Sequence, residues 1–331
     1  MLAAVALLAG SGAAEPVPDP DAPPQASQVV PGIWLIPGGI RPRRQPDGNS
    51  VIFAAPEGLI VMDTGRHPWH RQAILDFAAA RHAPIAAIIN SHWHLDHVSG
   101  NPDIKRAWPR ARVYASLAID DALTGFLPNS AAEARAYMET GRAPAETAED
   151  IRADMATIAD GQALRPDAPI NRSAVRRLAG LRLSLNLAPN AATDGDVWVF
   201  DPRSGIAAVG DLVTFPAPFL DTACVAGWKT ALDRIWDTPF RLVVPGHGPV
   251  LTRAQFGAYR AAFAALADCA ASARGKAECA ADWMAATRDL DPGDPAGALG
   301  RPMTERYVAE VLRANGGDSA ACKVRSRRQK G

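Results

Sequence analysis

His92-Trp93-His94-Leu95-Asp96-His97 places three imidazoles and a carboxylate within six residues, directly after the apolar run Ile85-Ala86-Ala87-Ile88-Ile89. Three of the chain's seven histidines are therefore concentrated at the end of one strand-like segment, where sheet proteins commonly place their chemistry. Imidazole nitrogen and carboxylate oxygen are the ligand atoms that Zn²⁺ and its neighbours prefer, and buried histidines without a partner cost desolvation energy for no return. The cluster reads as a metal site.

Working outward, Ile33-Trp34-Leu35-Ile36, Val51-Ile52-Phe53-Ala54 and Leu59-Ile60-Val61-Met62 are short apolar segments separated by Pro, Gly and Asn. They read as successive strands of an antiparallel sheet. Trp69, Ile74, Leu75, Phe77 and Ala78 are spaced for an amphipathic helix between Pro68 and His82. The second half repeats the strand habit: residues 181–187 alternate apolar and polar, and Val197–Phe200, Ile206–Val209 and Leu242–Val244 read as buried strands. Helices are expected over 131–158, broken near Gly141 to Pro144, over 228–236, and from Thr252 into a helical tail. Two strand-rich halves flanked by helices imply a layered sandwich. His67, His70 and His82, on or beside the first helix, read as surface residues.

At 331 residues and 48% hydrophobic composition the chain can bury a large core, and 35 basic against 35 acidic residues leave no field to attract a polyanion. Nucleic acid is not an expected partner, and no apolar span is long enough for stable insertion in a membrane. Residues 1–14 read as a signal peptide without a basic residue ahead of its apolar core, and residues 15–28, rich in Pro and Asp, as a disordered leader. A periplasmic or secreted location follows, and the even set of Cys224, Cys269, Cys279 and Cys322 suits it. Cys269 and Cys279 flank a turn-like Arg274-Gly275-Lys276 and form the first candidate disulfide; small buried thiols are the other reading.

The His-x-His-x-Asp-His run, met by His92, His94, Asp96 and His97, resembles the signature of the metallo-β-lactamase fold superfamily, and further marks fall in the family's order. Asp63 in Val61-Met62-Asp63-Thr64-Gly65 resembles the aspartate that supports the histidine loop, Asp211 in Gly210-Asp211-Leu212 the bridging carboxylate, and His247 in Gly246-His247-Gly248 the last ligand. The resemblance implies a four-layer αββα sandwich of the α/β (α+β) class over residues 29–260, with a helical extension over 261–331. It also implies one or two zinc ions per chain. Asp96, His97, Asp211 and His247 would complete one tetrahedral site.

The chain departs from the family where a histidine usually precedes Thr-x-Gly-Asp. Here the stretch is Asn190-Ala191-Ala192-Thr193-Asp194-Gly195-Asp196, and Ala192 stands in the histidine's place. The first site keeps His92, His94 and a share of Asp211, with Asp194 or Asn190 as substitute ligands, and a set of two histidines and one carboxylate also suits iron. The expected reaction is hydrolysis of a small carbonyl or ester substrate, a β-lactam, thioester or lactone, by metal-bound hydroxide, with Asp96 as the catalytic residue. The resemblance extends to exported metallohydrolases linked to sulfur or quinoprotein oxidation. The competing expectation is a metal-binding accessory protein or pseudoenzyme that kept the fold when Ala192 replaced the ligand.

Overall fold

The structure, a computed structural model, describes residues 22–322; the apolar run 1–14 and the leader as far as residue 21 lie outside the described residues. A first sheet has the order β1 (Ser27–Val30), β2 (Ile33–Ile36), β3 (Ser50–Ala55), β4 (Gly58–Met62), β5 (Ile85–Ile89), β6 (Arg112–Ala115) and β7 (Ala168–Pro169). Its first four strands are antiparallel, as expected, and β5 to β7 extend it in parallel. A second sheet runs β13 (Leu251–Thr252), β12 (Leu242–Pro245), β11 (Ile206–Gly210), β10 (Gly195–Asp201), β9 (Leu181–Pro189), β8 (Ala174–Leu178), antiparallel except for the parallel pair β11 and β12. Strand β1 begins two residues inside the segment read as leader.

Alternation decides how the sheets stack, because successive side chains of a strand point to opposite faces. Leu181, Leu183 and Leu185 of β9 are buried with Val51, Phe53, Ile60, Met62 and Ile89 of the first sheet, forming the layer between the sheets. The opposite face of the first sheet, Ile52, Val61, Ile88 and Val113, packs on Ile74 and Ala78 of α1 (Pro68–Ala80). The opposite face of the second sheet, with Trp198, Phe200 and Val209, is covered by α7 (Val225–Trp236) and α8 (Arg253–Ala271) through Trp228, Leu232, Phe256 and Phe263. Four layers, αββα, are the result. Two short helices, α2 (Leu95–Val98) and α3 (Asn101–Ala107), follow β5.

Between β6 and β7 the chain makes three helices, α4 (Ala118–Thr124), α5 (Phe126–Glu139) and α6 (Ala145–Ala159), interrupted at Gly141, whose φ of 69° ends the helical run. Helix α5 buries only Leu127 and α6 only Ala148, Asp150 and Ile151. Charge therefore does much of the fastening. Arg43 pairs with Glu146 at 2.6 Å, Arg44 with Asp150 at 2.9 Å, and Arg66 with Asp154.

Beyond α8 come α9 (Lys276–Thr287) and α10 (Gly300–Arg306). Cys269 and Cys279 form the disulfide anticipated between α8 and α9, and Cys224 joins Cys322 across a sequence separation of 98. The second bond returns the end of the described chain to the start of α7, where Asp318 also accepts a hydrogen bond from the Val225 amide. No helix among the described residues is long and apolar enough to cross a membrane.

Two histidines are not where the sequence reading put them. His67 and His70 are buried, not on the surface; His82 is exposed. His70 precedes Ile74 and Ala78 by four and eight positions, so it shares their inward face of α1, and its Nε2 lies 2.8 Å from the Ser50 hydroxyl. His67 lies against the Asp47 carboxylate at 2.8 Å, with its ring stacked on Trp69 at 4.1 Å.

Two measurements check these features. Replacing both Cys224 and Cys322 by serine should lower stability by roughly 2–4 kcal/mol in urea unfolding, because the bond closes a long loop. Burial, the largest influence on His70, pushes it down from 6.5 to about 4. Its unfolded form thus binds a proton that the folded form refuses. That contribution to stability is complete above pH 6.5 and is lost as pH falls toward 4. In chelator-treated protein, the wild type should lose roughly 3 kcal/mol more than His70→Gln between pH 7 and 4; equal losses would contradict the assignment.

Candidate metal centre

Parallel strands end on the same side, so the pairs β4/β5 and β11/β12 bring four carboxyl-terminal ends to one rim of the stacked sheets. Asp63 follows β4, His92 and His94 follow β5, Asp96 and His97 lie on α2, Asp211 follows β11, and His247 follows β12. All six sequence-predicted ligands meet there in two groups, His92 with His94 and Asp211, and Asp96 with His97 and His247.

Asp211 stands between the groups. Its Oδ2 lies 3.6 Å from His92 Nε2 and 3.9 Å from His94 Nδ1, while its Oδ1 lies 3.2 Å from His97 Nε2 and 3.5 Å from His247 Nε2. Asp96 Oδ2 lies 3.0 Å from His247 Nε2 and 3.6 Å from His97 Nε2. His92 Nε2 and Asp211 Oδ1 are buried and make no hydrogen bond. Buried polar atoms are rarely left so, and lone pairs converging on shared points are what a cation requires. The donor set fits divalent metal.

The hydrogen bonds behind His92 and His97 fix which nitrogen each presents as a neutral imidazole. Ser91 Oγ donates to Asp63 Oδ2 at 2.7 Å, so at 2.8 Å from His92 Nδ1 it must accept, leaving Nε2 bare toward Asp211. His97 Nδ1 donates to the same Asp63 oxygen at 3.0 Å, which bares its Nε2 as well. Asp63 thus holds both Ser91 and His97 through one carboxylate oxygen. Its left-handed backbone, φ 63°, accompanies the bond from the Ser91 amide to its Oδ1 at 2.7 Å. Partners of this kind orient ligands and raise their basicity.

The carboxylates and imidazoles of the centre set one another's charge. Burial favours a neutral Asp211, yet His97, His247 and His92 outweigh it and hold the carboxyl well below its ordinary range. Burial likewise opposes protonation of His97 and His247, but Asp211 and Asp96 overcome it and raise both. For His92 burial prevails, reinforced by His94 and His97, and the imidazole is kept neutral. The carboxylates attract positive charge, a proton if no metal is present.

Other participants carried no sequence signal. Asn49 donates to the carbonyls of Pro245 and Gly248 at 3.0 and 2.9 Å, clamping the loop that bears His247. In that loop a Cβ on Gly246 would lie 2.0 Å from Asp211 Oδ1, so only glycine fits. Arg66 Nη2 lies 3.8 Å from Asp96 Oδ1, the oxygen turned away from the histidines, while its other end is paired with Asp154 of α6. Ser91 adjoins the histidine run and was the one of these that position hinted at. Asp194 accepts from the Trp93 indole at 3.0 Å, and Asn190 turns the chain at φ 53°; neither joins the two groups.

The groups lie on one side of a cavity of about 890 Å³. Its apolar wall includes Trp93, Phe126, Leu127 and Met155 from the helical insertion side and Phe215 and Phe219 from the loop after Asp211, while α10 contributes Met303 and Arg306. The group containing Asp96 has an unshared aspartate and two histidines, and the other borrows Asp211. Asp96→Ala or His247→Ala should therefore remove more metal than His92→Ala, measured by elemental mass spectrometry after dialysis; equal losses would contradict the asymmetry.

Residues 43–247 match the Metallo-beta-lactamase superfamily. A linear primary-alkylsulfatase from Pseudomonas sp. (strain ATCC 19151) is 25% identical over 220 residues, 60% of this chain and 40% of that protein. The chain thus spans well under half the length of that relative. Among solved structures, the sec-alkylsulfatase Pisa1 from Pseudomonas sp. superimposes with a TM-score of 0.57 and 17% identity, covering 78% of this chain and 45% of that one. The metallo-beta-lactamase FIM-1 from Pseudomonas aeruginosa, in its mono-zinc form, gives 0.53 and 16%, covering 73% and 96%. A family match over more than half the chain, containing the histidine loop and ending at His247, establishes that this protein belongs to the metallo-beta-lactamase superfamily.

Proposed function

We propose that this protein is a zinc-dependent hydrolase of a small carbonyl or ester-type substrate with an apolar body. One observation carries the reading: two groups of imidazole and carboxylate atoms lie at the side of a large cavity lined in part by Trp93, Phe126, Leu127 and Phe219. His92, His94, Asp96, His97, Asp211 and His247 are the ligands we assign; Asp194, on the cavity wall, and Asn190, the substitutes that the sequence offered for the missing histidine, lie outside both groups. Mixed imidazole and carboxylate sets suit zinc first and iron second. A divalent ion there would polarise a substrate oxygen and lower the pKa of water from about 15.7 to about 7.

The protein's own groups do the rest. Trp93, Phe126 and Phe219 hold the apolar body and exclude water, and Asp96, steadied by Arg66 on its outer oxygen, accepts the proton of the attacking water. The alkylsulfatase and β-lactamase relatives support hydrolysis of an ester or amide bond, and the choice among lactam, thioester, lactone and sulfate-type esters lies with the cavity wall. The two disulfides support the reading of an exported protein, and the part played by Met303 and Arg306 supports residues 261–331 as an extension that serves the catalytic unit.

Ala192 favours a second reading, a metal-binding accessory protein with an incomplete first site. The two readings part on a direct assay. Metal-replete protein offered a chromogenic lactam, a thioester, a lactone and an alkyl ester or sulfate should turn over at least one class, and Asp96→Ala should cut that rate by more than about 100-fold. Full metal with no turnover of any class would favour the accessory protein.

A further inference from the structure

The first group lacks the histidine that Ala192 replaces, and the structure shows what the position does instead. The Thr222 hydroxyl donates to the Ala192 carbonyl at 2.8 Å, and the same hydroxyl oxygen lies 3.2 Å from His94 Nε2. All three residues are buried. A carbonyl can only accept, so the single hydroxyl proton of Thr222 is committed to Ala192. The oxygen must then accept from His94, whose proton is on Nε2 and whose bare nitrogen is Nδ1. That nitrogen is the one turned to Asp211, 3.9 Å from Oδ2.

We infer that Thr222 is the positioning residue of the first metal group: it relays the backbone at position 192 to His94 and fixes the tautomer that presents Nδ1. The inference rests on the metal-centre reading above. Ring rotation is restricted as well, because His94 sits edge-on to Trp93 and to Phe219 at centroid distances of 4.6 and 4.9 Å. His92 and His97 are oriented by Ser91 and Asp63, whereas the hydrogen-bond partner of His94 is Thr222. In a group with one protein ligand fewer, each remaining ligand's orientation carries more of the affinity. The 192 position, which bears no ligating side chain, supports His94 through its main-chain carbonyl and the Thr222 hydroxyl.

Thr222→Val keeps shape and removes the hydroxyl; Thr222→Ser keeps the hydroxyl. Zinc titrated against a chromophoric chelator should show the weaker site losing about 10- to 100-fold in affinity in Thr222→Val, with the tighter site within about twofold and Thr222→Ser close to wild type. Equal weakening of both sites, or none, would overturn the assignment. An independent readout needs neither metal nor variant: in chelator-treated wild type, nitrogen-15 imidazole spectra should show His94 protonated on Nε2, and a proton on Nδ1 would overturn it. If wild type bound no zinc at all while His94 showed the expected tautomer, the metal-centre reading would fail and the relay would stand.

Discussion

Two carboxylates, Asp96 and Asp211, are buried among four imidazoles at the rim of the stacked sheets, and everything near them serves to keep that arrangement in place. Burying charge is costly unless it is paired and hydrogen-bonded. Here the pairing is shared: Asp211 faces both groups, one oxygen to each. Because His97 and His247 are drawn toward protonation by these carboxylates, the centre is built for positive charge, and a metal competes with protons for the same atoms.

Rigidity around the centre comes from short polar links to strand ends. Asp63, at the end of β4, ties Ser91 and His97 to one carboxylate; Asn49, ahead of β3, ties down the loop after β12; the Val197 amide of β10 reaches the Ser91 carbonyl at 2.6 Å, joining the two sheets beside the histidines. The ligands thus hang from parallel strand ends that the inter-sheet core holds in register. The cavity wall is made differently. Helices α5 and α6 bury little and are fastened by Arg43, Arg44 and Arg66, and the C-terminal end is stapled by Cys224 and Cys322. The groups at the rim are tied to strand ends and the helical wall is lightly packed, so the wall is the part freer to vary.

Arg66 links these two parts. One end of its guanidinium meets Asp154 on α6 and another approaches the outer oxygen of Asp96. The wall of the cavity and the orientation of a ligand are therefore joined through one side chain.

The sequence alone determined the layers and the residues that gather at the rim, because both follow from local pattern. Leu181, Leu183 and Leu185 alternate inward whatever lies opposite, and His92, His94, Asp96 and His97 declare their chemistry by spacing alone. Ala192 was legible as a gap for the same reason. His70 is polar, but its spacing to Ile74 and Ala78 sets it on the buried face of α1, so its period and not its polarity decides its place. What fills the gap at Ala192 was not legible, since Thr222 lies 30 residues away and meets His94 at a separation of 128. Asn49 reaches the His247 loop across 196 residues. Such partners are chosen by the packing of strand ends, and no local periodicity records it. Tertiary structure alone decided which nitrogen His92, His94 and His97 present, the sharing of Asp211 and the pairing of Cys224 with Cys322, because each depends on which distant groups the folded sheets bring within hydrogen-bonding or bonding distance.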